Sequence, residues 1–214
     1  MCQAPNGDIY IADSGNNRIV VLDPAMKNVV KVIKTFDNNG KEDKFSNPYG
    51  VCVSEREWVY VADFKNKRVV VLDQNDNLVQ IIANPQSESL EENFVFNPLK
   101  VTVDYADRVY VIAQNMFEGI MVFESNGQFT NFFGTINVEI SAWDKFWKRI
   151  ATKEERSNQR LFIPTEFTGI DIDPEGFVYA SNIDSTGVQG VRRLNPRGED
   201  VIKKGFNKNV GGDL

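Results

Sequence analysis

Four positions in this sequence have side chains that could do chemistry and recur in step: Cys2, Cys52, Thr102 and Asp171. The first three stand fifty residues apart, so a repeating chain would stack all four in one column. Two thiols with no base beside them in sequence make a poor nucleophile, and both cysteines read as small, buried residues. A second set, Asp171, Asn182 and Asp184, offers hard oxygen ligands of the kind calcium takes. Acidic residues among turns are more often solvated, so the expectation here is no cofactor, with calcium as the alternative. Histidine is absent altogether. That removes the commonest general base, the commonest zinc ligand and every Ser-His or Cys-His dyad.

The elements that would position these residues announce themselves as a repeat. Asp8-Ile-Tyr-Ile-Ala-Asp13 followed by Asn16-Asn-Arg-Ile-Val-Val-Leu-Asp23 returns as Trp58-Val-Tyr-Val-Ala-Asp63 followed by Asn66-Lys-Arg-Val-Val-Val-Leu-Asp73. Tyr10, Tyr60 and Tyr110 mark the period. A third copy begins at Asn97-Pro98 and a fourth passes through Gly169-Ile-Asp-Ile-Asp173 to Tyr179 and Val191-Arg-Arg-Leu194.

Within each copy the apolar runs are short, rich in β-branched and aromatic residues, and bounded by Gly, Asn, Asp and Pro, which reads as strands joined by tight turns. In the second copy the strands a to d are expected near 50–54, 58–63, 68–73 and 78–83. Gln74-Asn-Asp-Asn77, Ser125-Asn-Gly127 and Pro174-Glu-Gly176 supply the positive φ that such turns need. Four antiparallel strands per copy define a propeller blade, so the fold class is all-β, a β-propeller with about four blades visible. The blades are expected at 1–46, 47–96, 97–134 and 163–205, with a helical insertion at 135–162.

Asn47-Pro48-Tyr49-Gly50-Val51, with Val59-Tyr-Val-Ala-Asp63 and Asn66-Lys-Arg68, resembles an NHL repeat, the unit of a family of usually six-bladed propellers. The third and fourth copies depart from that motif, having Ala113 and Asn182 where the Asp would stand. The resemblance implies that Asp13 with Arg18, and Asp63 with Arg68, are structural braces. A carboxylate ending strand b and a guanidinium opening strand c can clamp the turn between them. A six-bladed ring at about 40 to 50 residues per blade needs roughly 240 to 300 residues. This chain has 214. The first copy also begins inside strand a, and both features imply a longer natural protein.

In an up-and-down blade the b–c loops and the d–a connections emerge on one face. There the copies differ most: Phe64-Lys-Asn-Lys67, Asn115-Met-Phe-Glu118, Asp184-Ser-Thr-Gly187 and the insertion, where Trp143, Phe146 and Trp147 recur at helical spacing. Variable loops on a rigid scaffold are where binding tends to reside. The expected function is therefore a protein- or ligand-binding scaffold using Phe64, Lys65, Met116, Phe117, Trp143, Phe146 and Trp147. A calcium-dependent lactonase-like hydrolase is the alternative, since propellers resembling this one include metal-dependent enzymes.

The net charge of -6 argues against nucleic acid, whose binding relies on clustered Lys and Arg. No apolar run reaches the roughly 20 residues of a membrane-spanning helix, and no membrane contact is expected of the visible chain. Cellular location is open on sequence grounds.

Overall fold

The computed structural model describes residues 1–90, 93–134, 166–183 and 189–202. The expected helical insertion at 135–162 therefore lies outside the described residues, as do Trp143, Phe146, Trp147 and Asp184.

Each repeat folds into its own antiparallel sheet. The first runs β1 (Cys2–Gln3), β2 (Ile9–Asp13), β3 (Arg18–Leu22) and β4 (Val29–Ile33) in sequence order. A separate hairpin follows, β5 (Thr35–Asp37) with β6 (Glu42–Lys44). The second sheet has β7 (Pro48–Val53), β8 (Val59–Asp63), β9 (Arg68–Leu72) and β10 (Leu78–Ala83). The third has β11 (Pro98–Val103), β12 (Val109–Ala113), β13 (Ile120–Phe123) and β14 (Phe129–Phe133). The fourth shows three strands, β15 (Glu166–Ile172), β16 (Val178–Ile183) and β17 (Gln189–Leu194), and a single bridge from Leu194 to Asp200. No helix of the described residues is long and apolar enough to cross a membrane.

Neighbouring sheets touch mainly through their first strands, β7 on β11 and β11 on β15, while in the first sheet, whose β1 is two residues long, β2 meets β7 as well. The first strands form the inner wall, and the sheets radiate from it as propeller blades.

Strand alternation explains why the blades stack. Side chains point to opposite sides of a strand in turn. In the second blade Val59, Val61, Val70 and Leu72 pack with Tyr10, Ile19, Val21 and Ile33 of the first. Tyr60, Ala62, Val69 and Val71 face the other way and meet Val109, Val111 and Phe123 of the third. Tyr110, Ile112 and Val122 then pack on Phe167, Val178 and Leu194 of the fourth. A blade buried on both sides needs apolar residues on both faces of its strands, and Val59–Ala62 of β8, Val69–Leu72 of β9 and all of β12 supply them.

The second to fourth inner strands share an irregularity. Pairing slips by one residue between Pro48 and Gly50, between Pro98 and Lys100, and between Phe167 and Gly169. This bulge leaves Tyr49, Leu99 and Thr168 unpaired at the same level of the wall. Gly50 allows the second and third blades to approach there, because a Cβ on it would lie 2.8 Å from the Leu99 carbonyl oxygen.

Candidate functional site

The two faces of the propeller are built differently. On the a–b and c–d face the described turns repeat one design, except that the Asp23–Asn28 turn is one residue longer. A residue such as Ser54, Asp73, Asp104 or Asp173 accepts from the N–H three residues on and donates its own N–H to the carbonyl four residues on. The residue closing each of these turns has positive φ: Glu57, Asp76, Asp107 and Gly176, as well as Gly7, Gly127 and Gly198 elsewhere on this face. The opening Asp carboxylates of Asp73, Asp104 and Asp173 take further backbone N–H donors, which fixes the turns as short, closed units.

The opposite face carries irregular loops tied to one another. Asp13 accepts from Asn16 Nδ2 and from Arg18 Nε at 2.7 Å, closing the short turn Ser14–Asn16. Hydrogen bonding to Arg18 and Asn16 holds the Asp13 carboxyl below the usual carboxylate range. The second blade repeats the unit with Asn66 Nδ2 and Arg68 Nε both 2.9 Å from Asp63. It also goes further. Asp63 is fully buried and accepts the Ser46 N–H at 2.6 Å, and Arg68 reaches out with its terminal nitrogens to Asp43 at 2.7 and 2.9 Å.

Asp43 belongs to the β5–β6 hairpin, which the sequence reading did not foresee. Its strands are short and polar, and Glu42-Asp-Lys44 carries no apolar alternation to advertise a strand. What signals it is Asn38-Asn-Gly40, with positive φ at Asn39 and Gly40. Phe36 packs on Phe45 at 5.4 Å between ring centres, and the Arg68 guanidinium lies 5.5 Å from the Phe36 ring. Ser14 Oγ donates to the Pro48 carbonyl and Asn47 N–H to Asn17 Oδ1, so the first b–c loop is bound to the connection entering the second blade.

The expected partner-binding residues separate on this face. Tyr49, 44% exposed at the bulge of β7, stacks against Phe64 with ring centres 4.9 Å apart, and Lys65 is exposed beside them. Phe117 is 40% exposed, but the neighbouring Met116 is buried in the core between the second and third blades and offers no surface. Sequence reasoning missed Tyr49, whose outward turn comes from the bulge.

The inner wall lines a half-open cavity of about 470 Å³. It is lined by Cys2, Cys52, Thr102 and Asp171, with Val51, Val101 and Ile170 among the apolar residues between them. The column read from the sequence thus meets in space, but neither cysteine is fully buried. Cys52 Sγ lies 3.8 Å from Thr102 Oγ1, and Cys2 Sγ accepts the Val53 N–H at 3.4 Å. A hydrogen bond from Cys52 and the one from Val53 outweigh burial and bring the Cys2 thiol down to about 7. The Cys52 thiol is pushed up, because its proton is held by Cys2 and it is buried.

Asp171 and Asn182 do not converge. Asp171 pairs with Tyr179 and lines the cavity, whereas Asn182 is buried three residues farther along β16, opposite Phe167, about 10 Å away by strand rise. Asn182 takes the place in its blade that Asp63 has in the second, and its Oδ1 has no hydrogen-bond partner among the described residues. Among the described residues, no three Cys, Asp or Glu side chains gather as a metal would require.

Four antiparallel sheets radiating from a shared inner wall define a β-propeller. The family model for the NHL repeat matches residues 1–22, the first brace included, and 51–72 restates that segment: the chain is a β-propeller with an NHL-repeat match in its first blade. Similar solved structures include the extracellular domain of BT4673 from B. thetaiotaomicron, assigned to a one component system, at 14% identity and a TM-score of 0.52, covering 96% of this chain and 24% of that one. A catalytically inactive virginiamycin B lyase from Staphylococcus aureus, solved with quinupristin, aligns at 14% identity and a TM-score of 0.49, covering 87% of this chain and 52% of the lyase. The chain thus spans about half the length of the lyase and a quarter of the BT4673 domain. At such identity the likeness concerns fold alone. No curated protein sequence matches the chain significantly.

Proposed function

We propose that the chain is a non-catalytic binding scaffold that engages a protein or small ligand through the face carrying the b–c loops and d–a connections. The observation that carries this reading is the contrast between the two faces. One consists of short closed turns of nearly uniform design; the other presents the exposed Tyr49, packed on the half-buried Phe64 beside Lys65, on loops braced by Asp63, Arg68 and Asp43. Aromatic residues held on a rigid base lose little entropy on binding and make effective anchors. The acidic charge of the chain disfavours nucleic acid as the ligand.

The test compares three baits in affinity capture with mass-spectrometric identification: the chain itself, a Tyr49→Ala/Phe64→Ala variant, and a Glu57→Ala/Asn75→Ala variant on the opposite face. A ligand held by the first and third but lost from the second supports the scaffold. Loss from the third alone places binding on the other face and overturns the reading.

The second reading, a calcium-assisted hydrolase, draws on Asp171 facing the cavity. Calcium titration by calorimetry on the chain and on Asp171→Asn separates the two: heat that disappears in the variant favours the hydrolase.

A further inference from the structure

We infer that Cys2 and Cys52 are an inter-blade dithiol, a modification site in the central cavity that a small-molecule disulfide oxidises to a disulfide joining the first two blades. This rests on the inner wall and not on the loop face.

The geometry brings the sulfurs together from separate sheets. Cys2 lies on β1 opposite Tyr10, and Cys52 lies on β7 opposite Tyr60, so the two occupy the same step of adjacent inner strands. Cys2 Sγ is 3.4 Å from the Val53 nitrogen. That nitrogen is about 2.4 Å from the Cys52 Cα through the intervening carbonyl carbon, so Cys2 Sγ lies no more than about 5.8 Å from that Cα, near the reach of a disulfide. Both sulfurs line the cavity of about 470 Å³, which is room for a reagent to enter.

The two cysteines have different parts. The sulfur best able to attack is the one most easily deprotonated, and the Val53 N–H donated to Cys2 Sγ makes that Cys2. The Cys2 thiolate attacks one sulfur of the entering disulfide, forming a mixed disulfide and expelling the first thiolate. That thiolate takes the Cys52 proton. The Cys52 sulfur then attacks Cys2 Sγ, forms the inter-blade disulfide and expels the second half of the reagent as thiolate, which is protonated from solvent by the proton Cys2 had lost. Two protein thiols and one small disulfide become one protein disulfide and two small thiols. Thr102 Oγ1, on the third inner strand, sits against Cys52 and helps hold it in line.

The test treats the dilute chain with 2-hydroxyethyl disulfide and follows intact mass and tryptic peptides. The expected product has lost the mass of two hydrogens and yields one linked species joining residues 1–18 to 45–56. Because the chain has only two cysteines, no other internal disulfide competes. Cys52→Ser should stop with one reagent half attached to Cys2, and Cys2→Ser should be modified about tenfold more slowly than Cys52→Ser. The oxidised chain should melt at a higher temperature than the reduced one, returning on reduction. Two stable adducts on one chain, or a disulfide-linked dimer without the internal link, would show that the sulfurs do not meet and would overturn the proposal. Equal rates for the two single variants would overturn the division of roles.

Discussion

Arg68 is held between two carboxylates: its Nε lies 2.9 Å from the buried Asp63, and its terminal nitrogens take both oxygens of Asp43. Arg18 makes only the first of these contacts, with Asp13, and both partners are partly exposed. The same motif therefore carries different energetic weight in adjacent blades. Arg68→Ala strands Asp63 as an uncompensated buried charge and should destabilise the chain by about 3–5 kcal/mol. Arg18→Ala should cost distinctly less, because solvent screens the exposed pair. Urea unfolding of the two variants beside the parent measures the difference.

Acid should loosen the hairpin side of this network. Arg68 holds the Asp43 carboxyl far below the usual carboxylate range, with Asn38 adding to the effect. A carboxyl with a depressed folded pKa stabilises the fold above its unfolded value near 4 and loses that contribution as pH falls below it. The melting temperature of the parent should thus drop more steeply below about pH 4 than that of Asp43→Asn. Parallel slopes would mean that the ion pair contributes nothing to stability.

Alkali should act from the other end of the scale. Burial, and then the charge of Asp104, push the Tyr110 phenol up to about 12, and burial raises Tyr60 as well. For an acid raised in the folded state, the contribution is complete below the unfolded pKa near 10 and falls as pH climbs towards the folded value. Tyr110→Phe, which cannot ionise, should lose less stability than the parent between about pH 10 and 12.

Glycine placement tests the blade contact. Gly50→Ala would put a methyl 2.8 Å from the Leu99 carbonyl oxygen and 3.0 Å from the Lys100 Cα, both backbone atoms of the next blade. The variant should lose about 1–3 kcal/mol in chemical denaturation. At Gly15 a Cβ would meet nothing within 4 Å, and Gly15→Ala should change stability by less than about 0.5 kcal/mol.

Much of the fold was readable because its signals are local. Alternating apolar residues and Asn- or Gly-bearing turns placed β8, β9 and β10 within a residue or so of the observed strands, and positive φ falls at Asp76, Gly127 and Gly176 in the turns read as needing it. The candidate surface was less readable. Met116 looks like a loop residue in sequence, but the loop folds inward and buries it; Tyr49 looks like one more residue of the repeat motif ahead of the strand, but it lies within β7 and the bulge turns it out.

The amino-acid sequence by itself determined the blade, its period and the column of Cys2, Cys52, Thr102 and Asp171, since each follows from periodicity and turn chemistry within one repeat. Only the tertiary structure decided which of those residues touch. Packing of the inner strands set Cys52 against Thr102 and Val53 N–H against Cys2 Sγ, across about fifty residues of sequence, and lodged Asp43 of an unforeseen hairpin on Arg68. Strand register, in turn, held Asp171 and Asn182 apart. Such meetings depend on how separate sheets approach one another, and no local pattern encodes that approach.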